Sequence, residues 1–594
     1  MRQGGPVCTA AGDQNYVAMS PSPGGGAIIA WVDYRSNPDI YAQKIDNYGR
    51  VAWALNGVGI CTEAHAQYSP SCASDGLGGA FIAWQDDRSV DTDIYVQHVD
   101  ANGAALWTPE GVAVCQAAGD QVVPQVVADN LGGCIVAWID YRVGPDETNI
   151  YAQKVKSNGS VAWTMDGVAV CTVAGNQYQL HIVPDGKGGA IMAWSDYRDG
   201  ADIYAQKIRP DGSVAWATKG KGVCTAAGFQ QDPDMASDGR YGAVIAWTNT
   251  YANDDIYAQR IDSLGNSLWT ANGVDVSTTY YYYNYPVVAV DGEGNAVIAW
   301  IDNRSSGYDC YAQRIAPNGA LKWAADGVPV CTASGSCSAV RILPIREKAV
   351  GIVWSDTRNG ASDIYAQGVD STGMSLLAPN GIAICDTTGN QASPIGVPDG
   401  SGGAIICWTD YRNGSDSDVY AARVSSNGVI VATLLQGYKA AARADGVEID
   451  WTLSQEGAGM SFTVLRASAR DRVFAGLNSR DISCDGLAFS FVDRSAEPGA
   501  SYLYRVDIAD ENGQRTLFET NAVSMPSLPV TLYQNSPNPF NPSTTISFYV
   551  PERCRVVLEV YNLEGKMVAR LCDAQLEKGT NAVRWDGRGV SGNQ

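Results

Sequence analysis

Seven Asp-x-Arg pairs are the residues of this 594-residue chain whose types and spacing most directly suggest charge chemistry. Each aspartate lies two residues after a tryptophan, and residues two apart on a strand point to one face. A ring of such pairs would suit a charged ligand, but an active site breaks a repeat, whereas a structural contact preserves it. We therefore interpret the pairs as loop anchors. They are Asp33 and Arg35, Asp86 and Arg88, Asp140 and Arg142, Asp196 and Arg198, Asp302 and Arg304, Asp356 and Arg358, and Asp410 and Arg412.

A run of tyrosines is the strongest feature that occurs only once. A tyrosine offers a flat apolar face and a hydroxyl, a combination that stacks on sugars or anchors peptides. Alternation along a strand would bury about half of the run, so packing inside the fold is the alternative. We predict a ligand-binding patch at Tyr280, Tyr281, Tyr282, Tyr283 and Tyr285.

Catalysis has little support among the residue types. The three histidines, His65, His98 and His181, occupy non-equivalent positions, which disfavours a Ser-His-Asp triad or a histidine-rich metal site. We predict no catalytic residue and no bound metal. A glycosidase needs only two suitably spaced carboxylates, so a hydrolase of polysaccharide or peptide stays the alternative.

Paired acids also occur in several predicted loops. Examples are Asp91 with Asp93, Asp146 with Glu147, and Asp416 with Asp418. Such pairs suit weak calcium binding, but solvated surface acid is the commoner explanation. The sequence thus predicts no cofactor, with calcium as the alternative.

The overall charge excludes one class of partner. The chain has 63 acidic and 41 basic residues and a net charge of −22, without a basic cluster. Nucleic acid is therefore not a predicted partner, because phosphate neutralisation needs clustered Lys or Arg. No apolar run approaches the roughly 20 residues that cross a bilayer.

The elements that hold these residues come from a repeat of about 54 residues that occurs eight times. Three landmarks recur with it. A tryptophan lies in an AW-like context at Trp31, Trp84, Trp138, Trp194, Trp247, Trp300, Trp354 and Trp408. A Cys or Ser precedes it at constant spacing, at Cys8, Cys61, Cys115, Cys171, Cys224, Ser277, Cys331 and Cys385. An acid or amide follows at Asp39, Asp93, Asn149, Asp202, Asp255, Asp309, Asp363 and Asp418, and only this last interval varies, so length variation falls in one loop per repeat.

Each repeat is expected to form four strands. In the third copy these are PQVVAD, CIVAWID, NIYAQKVK, and SVAW running on to GVAVC. Four-stranded repeats of this length are typical of propeller blades, so the sequence predicts an all-β, eight-bladed β-propeller over residues 1–437. The opening GGPVC reads as the end of a fourth strand. We expect Gly5 to Cys8 to close the ring by pairing with the strand near Val429 to Leu434.

Connections between the strands divide the predicted propeller into two faces. The variable loops, such as Ser36 to Pro38, Ser89 to Thr92 and Val143 to Thr148, and the crossings between blades should share one face. The short Gly turns, at Gly78 and Gly132 for example, should lie on the other. A glutamine recurs in the crossings at Gln14, Gln67, Gln121, Gln177, Gln230 and Gln391, where it can satisfy unpaired backbone groups.

Fifteen cysteines do not predict a disulfide framework. Seven of them occupy one position in successive blades, too far apart for the 7 Å or so that a disulfide spans, so they read as small buried hydrophobes. Cys331 and Cys337 form a possible pair.

The residues after the propeller are predicted to form two small β-sandwiches, 438–527 and 528–594. In the second, SPNPFNPSTTISFYVP, VYNLEGKMVARL and GTNAVRWDGRGVSG resemble the C-terminal sorting domain of type IX secretion substrates, which is related to the Ig-like domain of flagellar hook-capping proteins. The family continues with a further strand, so this resemblance implies a truncated module at Gln594. Residues 438–527 resemble a fibronectin type III domain, and the repeats resemble uncharacterised propeller arrays of secreted proteins.

The resemblance implies export to the extracellular space or outer cell surface, with the secretion machinery as a partner of the C-terminal domain. Met1 to Gly12 lacks the regions of a secretory signal, so we expect that a signal was removed or that the chain is a fragment. The sequence as a whole predicts a non-enzymatic binding or scaffold protein whose propeller face engages an extracellular glycan or protein. The alternative is a hydrolase with its site at the propeller channel.

Overall fold

Each repeat forms one antiparallel sheet because its AW-containing segment is apolar on both faces and needs cover on each side. The structure, a computed structural model, describes residues 4–47, 49–250, 254–277, 283–305, 307–346, 348–414, 416–426, 428, 430–432, 435–443, 445–453, 460–477, 481–510, 513–520, 522–526 and 529–589. It divides into two compact units, Met1–Gln436 and Gly437–Gln594. The described part is all-β and has no helix long and apolar enough to cross a membrane.

Strand β1 (Gly5–Cys8) precedes eight blades in chain order. Blade one contains β2 (Gln14–Ser22), β3 (Gly26–Asp33), β4 (Asp39–Ile45) and β5 (Val58–Cys61). Blade two contains β6 (Gln67–Ser74), β7 (Ala80–Asp86), β8 (Asp93–Val99) and β9 (Val112–Cys115). Blade three contains β10 (Gln121–Ala128), β11 (Cys134–Asp140), β12 (Asn149–Val155) and β13 (Val168–Cys171). Blade four contains β14 (Gln177–Pro184), β15 (Ala190–Asp196), β16 (Asp202–Ile208) and β17 (Lys221–Cys224).

The second half of the ring repeats the pattern. Blade five contains β18 (Gln230–Ser237), β19 (Ala243–Thr250), β20 (Asp254–Ile261) and β21 (Val274–Ser277). Blade six contains β22 (Tyr283–Val290), β23 (Ala296–Asp302), β24 (Asp309–Ile315) and β25 (Val328–Cys331). Blade seven contains β26 (Cys337–Arg346), β27 (Ala349–Asn359), β28 (Ala361–Asp370) and β29 (Ile382–Cys385). Blade eight contains β30 (Gln391–Pro398), β31 (Ala404–Asp410), β32 (Asp418–Val424) and β33 (Ile430–Ala432).

The first strands of neighbouring blades contact one another around the ring, and β2 also contacts β30. They therefore surround a central channel, and the fourth strands lie outermost. The core lies between blades, where Ile135 and Ala137 of blade three pack with Trp194 of blade four. The eight-bladed propeller that the repeat predicts is confirmed.

The N-terminal strand closes the ring, but with a different partner from the predicted one. In β1, Gly5 faces Ala421 and Cys8 faces Val419, so the strand pairs with β32. The predicted pairing with Val429 to Leu434 is wrong, because β33 pairs with the other half of β32, at Ala422–Val424. A fourth strand covers only half of the third strand, so two short segments share that edge.

The predicted fourth strand is also too long. In blade three only Val168–Cys171 forms a ladder with β12, whereas Val161 of the SVAW segment makes a single bridge to Val155. The intervening TMDG residues turn the chain and break the strand.

The described residues that follow the propeller form four further sheets. One combines β34 (Leu435–Arg443), β35 (Gly446–Leu453), β39 (Ala488–Asp493) and β38 (Ser483–Asp485). Another combines β37 (Ala475–Gly476), β36 (Ser461–Ser468), β40 (Ser501–Asp510), β41 (Gly513–Glu519) and β42 (Val523–Ser524). The remaining two hold β43 (Thr531–Leu532), β44 (Thr544–Val550) and β47 (Gly579–Trp585), and β45 (Cys554–Tyr561) with β46 (Met567–Leu576). The domain boundary at 527/528 and the two family resemblances stay predictions.

Candidate functional site

A bulge recurs in the inner strand of every blade, and in blades three to seven the bulge residue lines a cavity in the channel. The third residue of each inner strand has a left-handed backbone, with φ between 48° and 55°, and the pairing with the second strand shifts there. The eight residues are Tyr16, Ser69, Val123, Gln179, Asp232, Tyr285, Ala339 and Ser393. A non-glycine residue in this region costs of order 1–3 kcal/mol, so the surrounding structure must impose it. The backbone of this bulge ring is constant and its side chains differ.

Hydrogen bonds between neighbouring inner strands hold the bulges in place. The Ser71 hydroxyl accepts a bond from the Val126 amide at 3.1 Å, and Asp234 Oδ2 accepts the equivalent bond from Val288 at 2.8 Å. In blades two and five a side chain two residues beyond the bulge therefore joins the blade to the next one.

A cavity of about 1140 Å³ occupies part of the channel and is lined mainly by the inner strands of blades three to seven. Tyr285, which is 64% exposed, lies in its wall with Arg341 and His181. Tyr308 of a variable loop and Ser336 of a crossing also line it, so the cavity lies towards the face that carries both kinds of connection. The Cys337 amide bonds the Tyr308 carbonyl at 2.7 Å, which confirms that a variable loop and the next crossing meet on one face.

Two carboxylates of blade five stand together in this wall. Asp234 lies 3.4 Å from His181 of blade four (Oδ1 to Nδ1) and bonds blade six through its other oxygen. The Asp232 carboxylate bonds Gln179 Nε2, and its backbone amide donates to Gln179 Oε1 at 3.0 Å. Burial raises the pKa of Asp232, although the bond from Gln179 opposes the shift. An acid pair found in one blade is what a hydrolase would need, but both acids are engaged in contacts between blades.

The predicted tyrosine patch is described only in part. Tyr280, Tyr281 and Tyr282 lie outside the described residues, as does the side chain of Tyr283. Tyr285 belongs to the bulge ring and faces the channel cavity. The assignment of the whole run as a binding patch stays a prediction.

The Asp-x-Arg pairs make nearly the same contacts in seven blades, although Arg358 makes no hydrogen bond from Nε to its aspartate among the described residues. In blade three Trp138 Nε1 donates to Asp140 Oδ2 at 2.7 Å, Arg142 Nε donates to Oδ1 at 2.7 Å, and the guanidinium lies 3.7 Å from the centre of the Tyr151 ring. The aspartates are buried, and every tryptophan of the seven makes the bond. These contacts occupy the carboxylate and guanidinium groups that a ligand would need. They are consistent with the predicted role of the pairs as loop anchors, which stays a prediction.

The pair Asp33 and Arg35 shows how burial and hydrogen bonding together set the pKa of the aspartate. Burial raises the pKa of Asp33, but hydrogen bonds from Arg35 and Trp31 outweigh it and hold the pKa below its ordinary value. Blade five lacks this arrangement, since it has Asn249, and Trp247 Nε1 has no hydrogen-bond partner among the described residues.

Metal-ligating side chains converge once in the described part of the chain, at Cys331, Cys337 and Asp356. The loop acids instead bond nearby groups. Asp91 accepts the Gly119 amide at 2.8 Å, and Asp416 accepts the Gly12 amide at 3.3 Å. The calcium alternative therefore gains no support from these contacts.

The bulge ring was not predicted from the sequence. A signal exists, because proline follows the bulge residue in five blades, at Pro70, Pro124, Pro233, Pro286 and Pro394, and proline inside a strand marks an edge or a bulge. A second set of tryptophans, which donate to carbonyls of the following blade, was not predicted either. They are Trp53, Trp107, Trp163, Trp216, Trp269 and Trp323.

Fold and channel together define an eight-bladed β-propeller protein. The chain matches no family model and no curated protein. Among solved structures it is similar to a polysaccharide lyase named as an ulvan lyase, with 11% identity over 72% of this chain and 97% of that chain and a TM-score of 0.41. It is also similar to a lectin from Burkholderia pseudomallei, with 10% identity, 70% and 98% coverage and a TM-score of 0.40. A Hadza microbial sialidase has 12% identity, 58% and 76% coverage and a TM-score of 0.30. Similarity at this level assigns no activity to the chain.

Proposed function

We propose that the chain is a non-enzymatic binding protein that engages a glycan at its propeller channel. The observation that carries this proposal is the bulge ring, which presents eight side chains of six types on one repeated backbone. A fixed frame with varied side chains is the arrangement that recognition requires. Tyr16 and Tyr285 are each 64% exposed, so their flat faces are open to a ligand.

The residue types favour a glycan over other occupants. Tyrosine stacks on the apolar face of a sugar ring, while the exposed guanidinium of Arg341 suits its hydroxyls. The net charge of −22 disfavours polyanions in general. Export and attachment at the cell surface belong to the same proposal and rest on the C-terminal sequence resemblance alone.

The second candidate is a glycan hydrolase, and the acid pair Asp232 and Asp234 favours it. Burial raises the pKa of Asp232, which suits a general acid. If this candidate is correct, the protein releases reducing sugar from a bound polysaccharide, and D232N abolishes that release without loss of binding.

The test begins with the full chain on an array of glycans and matrix proteins. For a glycan that binds, we expect Y285A and Y16A each to weaken binding by about 1–3 kcal/mol, because a stacked aromatic anchor is lost. Y241A is the matched control, since Tyr241 is 47% exposed but lies in a Gly turn. Binding only to matrix proteins, or unchanged affinity in both channel variants, would contradict the proposal.

A further inference from the structure

The start of blade seven differs from the corresponding position of six other blades. In those blades a glutamine begins the inner strand, and in all of them except blade five its amide donates to a carbonyl of the preceding crossing. Gln177 Nε2, for example, donates to the Val173 and Gly175 carbonyls at 3.3 and 2.7 Å. Blade seven has Cys337 at this position, which carries no amide, so this non-covalent tie cannot form there.

The cysteine is brought close to a second thiol. Cys331 ends the fourth strand of blade six, and its Sγ lies 3.5 Å from Asp356 Oδ2. Cys337 Sγ lies 3.8 Å from the same oxygen, and all three atoms lie within 4.8 Å of one another. Both cysteines are buried, but Cys337 also lines the channel cavity, which gives a small reagent a route to the pair.

We propose that Cys331 and Cys337 form a disulfide that replaces the glutamine tie between blades six and seven. A rotation of the two side chains would bring the sulfurs to bonding distance of about 2 Å. The bond would fix the crossing next to Ser338 and Ala339, which line the channel. It is a redox modification site that is independent of the proposed glycan binding.

The surrounding groups favour reaction at Cys331. The hydrogen bond from Cys337 outweighs burial and, with Arg358, lowers the pKa of the Cys331 thiol. The Arg358 guanidinium lies 3.0 Å from this sulfur (Nη2 to Sγ). In contrast, burial raises the pKa of Cys115, at the same position of another blade, to about 12. Thiolate is the reactive form, so Cys331 is the nucleophile of the pair.

A peroxide supplies the oxidising equivalents. The Cys331 thiolate attacks one oxygen of hydrogen peroxide, the O–O bond breaks, and hydroxide leaves a sulfenic acid on Cys331. Cys337 sulfur then attacks the Cys331 sulfur, the S–O bond breaks, and the hydroxyl leaves as water with the Cys337 proton. Two thiols and one peroxide give one disulfide and two waters.

A metal ion fits the same three side chains less well. Asp356 Oδ2 already accepts a bond from Trp354 Nε1 at 2.9 Å and forms an ion pair with Arg358. A divalent cation would lie beside the guanidinium and compete with it for both the carboxylate and the Cys331 sulfur. The repulsion favours a covalent bond between the sulfurs over a metal site.

The test uses the native full chain. The protein is treated with hydrogen peroxide, unfolded in denaturant with an alkylating reagent, and digested for mass spectrometry. We expect the peptides of Cys331 and Cys337 to be joined, unalkylated and about 2 Da lighter than the reduced pair. Cys115 and Cys171 should be fully alkylated. The melting temperature should rise on oxidation and return with a reductant.

Matched variants separate this bond from general oxidation. C337Q restores the repeat residue, so the fold should persist while Cys331 becomes alkylatable and the redox-dependent melting shift disappears. Exposed Cys484 reports that the oxidant acted. Two results would overturn the proposal: both thiols alkylated in a sample whose Cys484 is oxidised, or one equivalent of zinc retained by the native protein and lost in C337Q.

Discussion

Asp418 begins the third strand of the last blade, and its carboxyl titrates near neutral pH. Burial raises the pKa of Asp418 to about 7, and the nearby Asp410 and Asp416 carboxylates add to the shift. Asn149 holds the equivalent position of blade three and is also buried, so an amide is compatible with the site. Below about pH 7 the last blade therefore holds a neutral acid where blade three has a neutral amide.

The shift predicts a pH-dependent stability. The folded-state pKa lies above the ordinary value of 3.8, so the folded chain holds the proton where the unfolded chain has lost it. The stability contribution is complete below about pH 4 and is lost as the pH rises towards 7. We expect the melting temperature of D418N, relative to that of the wild type, to rise between about pH 4 and pH 7 and to rise no further above pH 7.

Thermal melts at closely spaced pH values would check this difference. D146N is the control, because it removes the same charge from an exposed loop residue. Parallel curves for D418N and the wild type from pH 4 to pH 8 would show that the carboxyl does not hold its proton in the folded state.

At the scale of elements, the second tryptophan set joins each of blades one to six to the next blade. Trp107 Nε1 donates to the Ser157 carbonyl at 3.0 Å and packs on Gly159, where an added Cβ would lie 2.9 Å from the indole. Blade seven has Leu377 at this position, and an apolar cavity of about 40 Å³ lies beside it. Gly428 of blade eight lies where Gly159 lies in blade three, so the glycine on which an indole would pack is still present.

We expect L377W to stabilise the propeller by about 1 kcal/mol, because it fills this cavity and restores the repeat residue. Denaturant unfolding of the full chain measures the change. The reverse substitution, W323L in blade six, should cost about 2 kcal/mol through the lost packing and hydrogen bond. A less stable L377W would mean that the cavity is too tight for an indole.

Strand β1 is the element that closes the ring. Val7 and Cys8 pack with Val419 and Ala421 of blade eight, in a cluster that also contains Trp31 of blade one. Deleting residues 1–9 should cost several kcal/mol, because it exposes the edge of β32 and removes this packing. The melting temperature reports the loss.

Deleting residues 1–3 is the control for that truncation and should change nothing. An unaltered melting temperature after deletion of residues 1–9 would show that β32 and β33 close the ring without β1.

At the scale of the whole molecule, the two faces of the propeller should differ in function. Residues 144–146 lie in the longest variable loop, on the face towards which the channel cavity lies. Deleting them should weaken glycan binding roughly tenfold, without a change in melting temperature, if the loops surround the ligand.

Gly132 supplies the contrast on the opposite face. Its φ of +87° disfavours any side chain, so G132A should lower stability by about 1 kcal/mol and leave affinity unchanged. Reduced affinity in G132A, with normal binding by the loop deletion, would place the ligand on the Gly-turn face.

The sequence by itself determined the number of blades and the buried frame. The Trp, Asp and Arg that blade three has at Trp138, Asp140 and Arg142 recur at constant spacing, because each blade must bury the same surface against the next. A closed ring therefore requires the buried part of every repeat to have the same length. The position of the variable loop follows from the same constancy. These features follow from comparing the copies along the chain, so they need no knowledge of how the blades pack.

Only the tertiary structure decided which side chains face the channel. The bulge at Val123 and its equivalents shifts the inner strand by one residue, so the alternation of buried and exposed positions cannot be extended across it. The cavity wall also combines Gln179, Asp232 and Tyr285 from different blades, which are far apart in the chain. The partner of β1 was also decided by the tertiary structure, because β1 reaches the free half-edge of β32 only when the ring closes.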